Sequence, residues 1–113
     1  MKTKLFKFLS KNKPFTGVRQ EQWDHGILKS KTHYKKGKKA GRETFWYESG
    51  DKKSESHWKN GKQEGLETEW YESGAKASER YFVNGKQEGL ETWWYESGAK
   101  LKELHYENGE QTI

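Results

Sequence analysis

The stretch NGKQEGLETEWYESGAKASERYFVNGK (residues 60–86) decides how the rest of the chain is read, because it begins to repeat before it ends. NGKQEGLET stands at 60–68 and again at 84–92, and WYESGAK at 70–76 and again at 94–100, a step of 24 residues. Working outward, three glycine columns keep that step: Gly17, Gly41, Gly65, Gly89; Gly26, Gly50, Gly74, Gly98; and Gly37, Gly61, Gly85, Gly109. Aromatic columns keep it too, as Trp23, Tyr47, Tyr71, Tyr95 and as Tyr34, Trp58, Phe82, Tyr106, with Trp46, Trp70, Trp94 beside them. A fixed period of this size is the mark of a repeat architecture, in which neighbouring units stack.

Each unit reads as a β-hairpin. GLETEWYE (65–72) carries strand-forming residues and runs into Ser73-Gly74, and AKASERYFV (75–83) then runs into Asn84-Gly85. Two such runs separated by two residues ending in Gly predict a tight turn at Ser-Gly, with the Asn-Gly turn the longer one. The register that follows sets Leu66 opposite Tyr81, Thr68 opposite Glu79 and Trp70 opposite Ala77 on one side of the sheet. Glu67 then faces Arg80, and Tyr71 faces Lys76, on the other. The first side, with Leu66, Leu90, Trp70, Trp94, Ala77 and Leu101, is the expected core. Cross-strand pairs of this kind contribute roughly 0.2–1 kcal/mol each.

A shift of 96 lays Leu5 on Leu101, Phe8 on Leu104 and Asn12 on Asn108, so the opening residues read as a truncated leading unit. The expected architecture is all-β: one elongated antiparallel meander of tandem 24-residue hairpins in a single repeat domain, 1–113. It divides into a half-repeat at 1–13, repeats at about 14–37, 38–61, 62–85 and 86–109, and a tail at 110–113. Nine strands spaced by about 4.8 Å span roughly 40 Å.

Composition agrees with a thin, aromatic fold. Hydrophobic residues are 29% and charged residues 35% of the chain, close to the range where ordering entropy goes uncompensated. Six Trp, six Tyr and five Phe supply the large burial that aliphatics do not. There is no Cys, hence no disulfide framework or thiolate metal site. Lys7 breaks the apolar run of the first residues well short of the roughly 7–15 residues of a signal peptide, and a cytoplasmic location is expected. The net charge of +5 conceals an imbalance. Residues 1–42 hold 13 Lys and Arg against 2 Asp and Glu, a balance of +11, and residues 43–113 hold 9 against 15, a balance of −6.

The unit resembles the MORN repeat in its bacterial variant form, with the pattern NGKxxGxxxxYYxNGxxKxExxYxNGK. PFTG (14–17), NGKQEGLETEWYESGAKASERYFVNGK (60–86) and NGKQEGLETWWYESGAKLKELHYENG (84–109) carry the resemblance. It departs at Trp23-Asp24-His25-Gly26, which marks the first repeat as a cap. The resemblance implies a binding module. Proteins of this bacterial variant are commonly labelled antitoxins of the YwqK type, which neutralise a toxin by binding it, and other MORN proteins are implied to scaffold proteins or contact acidic phospholipids.

No enzyme chemistry is expected. The Glu columns (Glu43, Glu67, Glu91; Glu48, Glu72, Glu96) repeat monotonously, whereas an active site breaks symmetry. His33, His57 and His105 share a column with roughly 10 Å between successive occupants, too far for one coordination sphere. Neither a catalytic residue, a metal nor a cofactor is expected. Binding is the expected function, with two candidate surfaces. Trp46, Tyr47, Tyr71, Trp93 and Tyr95 put rings on both faces of a sheet unable to bury both, and Trp93, standing where the preceding unit has Glu69, is the leading contact residue for a protein partner. Lys4, Lys7, Lys11, Lys13, Lys35, Lys36, Lys38 and Lys39 form a basic end suited to acidic lipid or nucleic acid. Self-association through the charge dipole, or through the last strand (100–107) as an open edge, is a further expectation.

Overall fold

Asn60 and Gly61 form a two-residue turn in which both residues have positive φ, 50° and 79°, and Lys59 pairs with Lys62 across it. This is the mirror-image turn whose twist matches that of the strands it joins, and Asn-Gly is the pair that tolerates it best. Asn84-Gly85 and Asn108-Gly109 repeat it, and Lys36-Gly37 reproduces it without Asn (φ 51° and 81°). The Ser-Gly connection is the longer one. The Tyr71 N–H donates to Ala75 O at 2.8 Å and the Gly74 N–H to Tyr71 O at 2.9 Å, closing a loop that recurs at 47–51 and 95–99. The two turns therefore exchange the lengths expected from the sequence. Ser at the first position does not stabilise the left-handed conformation that Asn accepts.

The computed structural model describes residues 14–112. Its strands are β1 (Gly17–Gln22), β2 (Leu28–Lys35), β3 (Lys38–Trp46), β4 (Lys52–Lys59), β5 (Lys62–Gln63), β6 (Gly65–Trp70), β7 (Lys76–Val83), β8 (Lys86–Gln87), β9 (Gly89–Trp94), β10 (Lys100–Glu107) and β11 (Glu110–Thr112). All pair antiparallel in one sheet ordered β1-β2-β3-β4-β6-β7-β9-β10-β11, with β5 on β4 and β8 on β7. β5 and β6 are one strand interrupted at Glu64, whose N–H donates to His57 O at 2.8 Å. The envelope measures 49 × 36 × 14 Å, the short axis being one sheet thick.

In the centre of each hairpin the expected register holds: Leu66 pairs with Tyr81, Glu67 with Arg80, Thr68 with Glu79. Near the Ser-Gly loop it shifts, so that Trp70 pairs with Lys76 rather than with Ala77, and Tyr71 lies in the connection rather than opposite Lys76. The same irregularity follows Phe45 and precedes Lys102. An extra residue on one strand increases local twist, and the longer loop provides it.

The expected core face is not a core. Leu66, Leu90 and Leu101 stand exposed, Trp70 and Trp94 are half-buried, and Ala77 is the one buried apolar residue among those described. The buried positions are otherwise Ser30, Thr32, Glu43, Thr44, Ser56, Thr68, Ser78, Glu91 and Thr92. In a single layer nothing covers either face, so only short side chains and bonded carboxylates, overlain by longer neighbours, leave solvent.

Cohesion comes from ladders running from unit to unit. The Tyr47 hydroxyl donates to Trp70 O, and the Tyr71 hydroxyl to Trp94 O, each at 2.6 Å. Trp23 Nε1–H does the same to Trp46 O at 3.2 Å. Lys52 lies over the Trp70 ring (5.5 Å) and Lys76 over that of Trp94 (5.6 Å), contacts worth about 0.5–1 kcal/mol at exposed sites. On the other face Glu43 accepts from Thr32 Oγ1 at 2.8 Å and pairs with Lys39 at 3.0 Å.

Tyr71→Phe should lower unfolding free energy in urea by about 1 kcal/mol, the net value of one hydrogen bond. Tyr95, whose hydroxyl has no acceptor among the described residues, should tolerate the same change without measurable loss. Asn84→Ala, at φ 52°, should cost about 1–2 kcal/mol for forcing Ala into the left-handed region.

Candidate protein-binding face

Strand alternation sorts the side chains onto two faces. The front carries Leu66, Thr68, Trp70, Glu79 and Tyr81, and the back carries Glu67, Glu69, Ser78 and Arg80. Leu66 pairs with Tyr81, and β9, which carries Leu90, pairs with β7 on the other side through Ser78 with Trp93 and Glu79 with Thr92. The Glu88 N–H donates to Tyr81 O at 2.8 Å and ties the segment just before Leu90 to β7. The result is an apolar stripe across three adjacent strands. Leu66 is 43% exposed, Tyr81 46% and Leu90 46%, with Val83, two positions along β7, at 43%. His105 pairs with Leu90 at one end of the stripe. Ion pairs rim the same face, Lys76 with Glu79 at 2.8 Å and Lys100 with Glu103 at 2.6 Å.

The aromatic residues singled out from the sequence do not assemble into one patch. Trp93 lies on the back, half-buried between Arg80 and Lys102, each 5.6 Å from its ring. Its Nε1–H donates to Glu91 Oε2 at 2.5 Å. Trp46 is half-buried on the front, two units away from Trp94. Tyr47 and Tyr71 line the Ser-Gly edge with their hydroxyls committed to the next unit. Burial first, then the charges of Glu72, Glu69 and Glu96, pushes the Tyr47 hydroxyl above its ordinary pKa and keeps it a donor. Tyr95, 52% exposed, ends that edge.

Of the basic residues, Lys35, Lys36, Lys38 and Lys39 surround the β2–β3 turn, and Lys4, Lys7, Lys11 and Lys13 lie outside the described residues. Lys39 is engaged, paired with Glu43 and set 4.6 Å from the Trp58 ring. β10 is not the open edge expected: His105, Tyr106 and Glu107 pair with β11, which leaves the stretch 100–104 as outer edge. His33 Nδ1 lies 2.7 Å from Arg42 O and His25 Nε2 3.0 Å from Glu48 O, both structural contacts. Among the described residues no group of three or more His, Asp or Glu is placed to hold a metal.

Glu91 is a buried, hydrogen-bonded carboxylate on the back. Burial acts to raise its pKa, but hydrogen bonds from Gln87 and Trp93, with the charges of Arg80 and Lys102, overcome it and hold the carboxyl below its ordinary range. A depressed carboxylate contributes stability above its unfolded value, about 4.3 for Glu, and loses it as pH falls through the folded value. Glu91→Gln should therefore be less stable than the parent at neutral pH. Urea midpoints of the two chains should converge as pH falls through that folded value.

A search of curated proteins finds no match to this chain. The family model described as the MORN repeat variant matches three times, at residues 39–60, 63–84 and 87–108, which together span more than half of the chain. The matches advance by the same 24-residue step that separates the hairpins, and each covers one Ser-Gly loop and the strands beside it. The chain thus belongs to the MORN repeat variant family, whose repeats generally serve as non-catalytic modules that bind proteins or membranes.

Proposed function

We propose that this chain is a non-catalytic protein-binding module that receives its partner on the front-face stripe of Leu66, Tyr81 and Leu90. One observation carries the reading: three large apolar side chains on three neighbouring strands, each more than two-fifths exposed, on a sheet face that no second layer covers among the described residues. Contiguous apolar surface rimmed by charge marks an interaction site. Fully burying an exposed Leu is worth roughly 1.5–3 kcal/mol, so covering the two-fifths of Leu66 or Leu90 that is exposed contributes about 1 kcal/mol. Hydrogen-bonded strands hold the stripe in place before a partner arrives, which lowers the ordering cost of association.

The finer form of this reading is an antitoxin or immunity-type role, in which the partner is a cognate toxin neutralised by occupation. It is supported by the likeness of the repeat to the bacterial variant so labelled, and by the unequal charge of the two halves, which would steer an oppositely charged partner. A second reading, binding of an anionic surface, draws on Lys35, Lys36 and Lys38 gathered at one turn.

A tagged chain presented to extract of its host at low and high salt separates the two. The expected result is one stoichiometric protein retained at high salt by the parent, and lost by Leu66→Asp and Leu90→Asp variants whose urea midpoints match the parent. Equal retention by those variants would overturn the stripe as the interface. Nucleic acid or acidic lipid held only at low salt would move the function to the lysine-rich turn.

A further inference from the structure

Each turn of the Asn-Gly type leaves the N–H of its first residue pointing out of the hairpin, and the chain answers this with a side chain from twenty residues earlier. Thr16 Oγ1 accepts from the Lys36 N–H at 2.8 Å. Glu64 Oε1 accepts from the Asn84 N–H at 2.7 Å, and Glu88 Oε1 from the Asn108 N–H at 2.8 Å. The column is Thr16, Ala40, Glu64, Glu88. In the second unit Ala40 has no oxygen to offer, and no other described atom takes its place at the Asn60 N–H.

We propose that Asn60, with Lys38, Lys59 and Lys62, forms a carboxylate-binding site that an acidic side chain of a partner protein fills. Asn60 lines a cleft of about 490 Å³ whose other walls are Lys38, Lys59, Lys62, Glu64 and Asn84. Three lysines thus line the cleft with a single glutamate, and Glu64 is already committed to the Asn84 N–H. Lys38 is held in place because its stem packs on the turn, with a Cβ built on Gly61 lying 3.5 Å from Lys38 Cβ. Two units further on, the same backbone position receives a glutamate carboxylate from within the chain, so the ligand chemistry is written in the molecule itself. A carboxylate accepting from a backbone N–H beside ammonium groups forms the charge-assisted bond that is about twice as strong as a neutral one.

The source of the carboxylate rests on the protein-binding reading; the site itself does not. Amide resonances of the ¹⁵N-labelled chain would be followed during titration with glutarate, with tetraglutamate and with inorganic phosphate, at constant ionic strength set by chloride. The Asn60 amide should shift saturably with glutarate, and at about tenfold lower concentration with tetraglutamate, whose further carboxylates reach the lysines. The Asn84 and Asn108 amides should stay still. Ala40→Glu supplies the missing cap and should weaken the response at least about tenfold, while Glu64→Ala should transfer a response to Asn84. An unmoved Asn60 amide, an undiminished response in Ala40→Glu, or saturation by phosphate below the tetraglutamate concentration would each overturn the proposal. Leu66→Asp should leave the Asn60 response intact, so failure of the apolar stripe and failure of this site are read separately.

Discussion

A sheet one layer thick, wet on both faces, has to be held together along its length rather than through its depth. The bond that does this most directly is the one from a tyrosine hydroxyl to the carbonyl of the tryptophan in the next unit, Tyr47 to Trp70 and Tyr71 to Trp94. It crosses from one hairpin to the next at the end where the loops are longest. At the opposite end the Gly61 N–H reaches Lys39 O at 2.9 Å and the Gly85 N–H reaches Gln63 O at 2.8 Å. Both margins of the sheet are thus stitched unit to unit, and the lysines lying over tryptophan rings fill the space between. The chain can consequently do without an aliphatic core, and a 29% hydrophobic fraction is compatible with an ordered fold. Its stability approximates a sum over neighbouring units, as in other quasi-one-dimensional repeat proteins.

The period alone makes most of this fold legible. Glycine and aromatic columns advancing together give the hairpins, their antiparallel pairing and the central register from Leu66–Tyr81 to Thr68–Glu79. The sequence misleads on the lengths of the turns because Ser-Gly and Asn-Gly both end in Gly, and only the left-handed tolerance of Asn distinguishes them. The expected core failed for a more basic reason. Counting apolar residues on one side of a strand identifies a buried face only where a second layer exists. Leu66 and Leu90 therefore mark an exposed stripe, and serines and threonines within the strands, with Glu43, Glu91 and Ala77, are the residues that disappear from solvent.

The candidate site was less legible than the fold. Trp93 broke the repeat pattern, which drew attention to it, yet its ring lies between Arg80 and Lys102 and its N–H bonds Glu91. A substitution that breaks a column can be answered within the same face, and here Lys102 and Glu91 answer it. The apolar stripe was hidden for the opposite reason: Leu66 and Leu90 keep the pattern and so attracted only a structural reading. Tyr81 carries the usable signal, since it occupies a column otherwise held by His33, His57 and His105. That exchange turns a polar row into an apolar one over a single pair of units.

Repetition also supplies an internal control that a globular domain lacks. Each backbone group recurs in nearly identical surroundings, so a vacancy is recognised by comparison with its own neighbours. Glu64 and Glu88 show what the backbone at the head of the turn accepts, and Thr16 shows that a hydroxyl also serves. Ala40 removes the acceptor without disturbing the turn, because Gly61 still donates to Lys39 O and Lys59 still pairs with Lys62. The fold does not require the cap at that position, whereas the lysines around Asn60 give an outside carboxylate a reason to stand there. In a chain of near-identical hairpins, specificity for a partner has to come from such departures, since the columns that never vary are occupied in holding the units together.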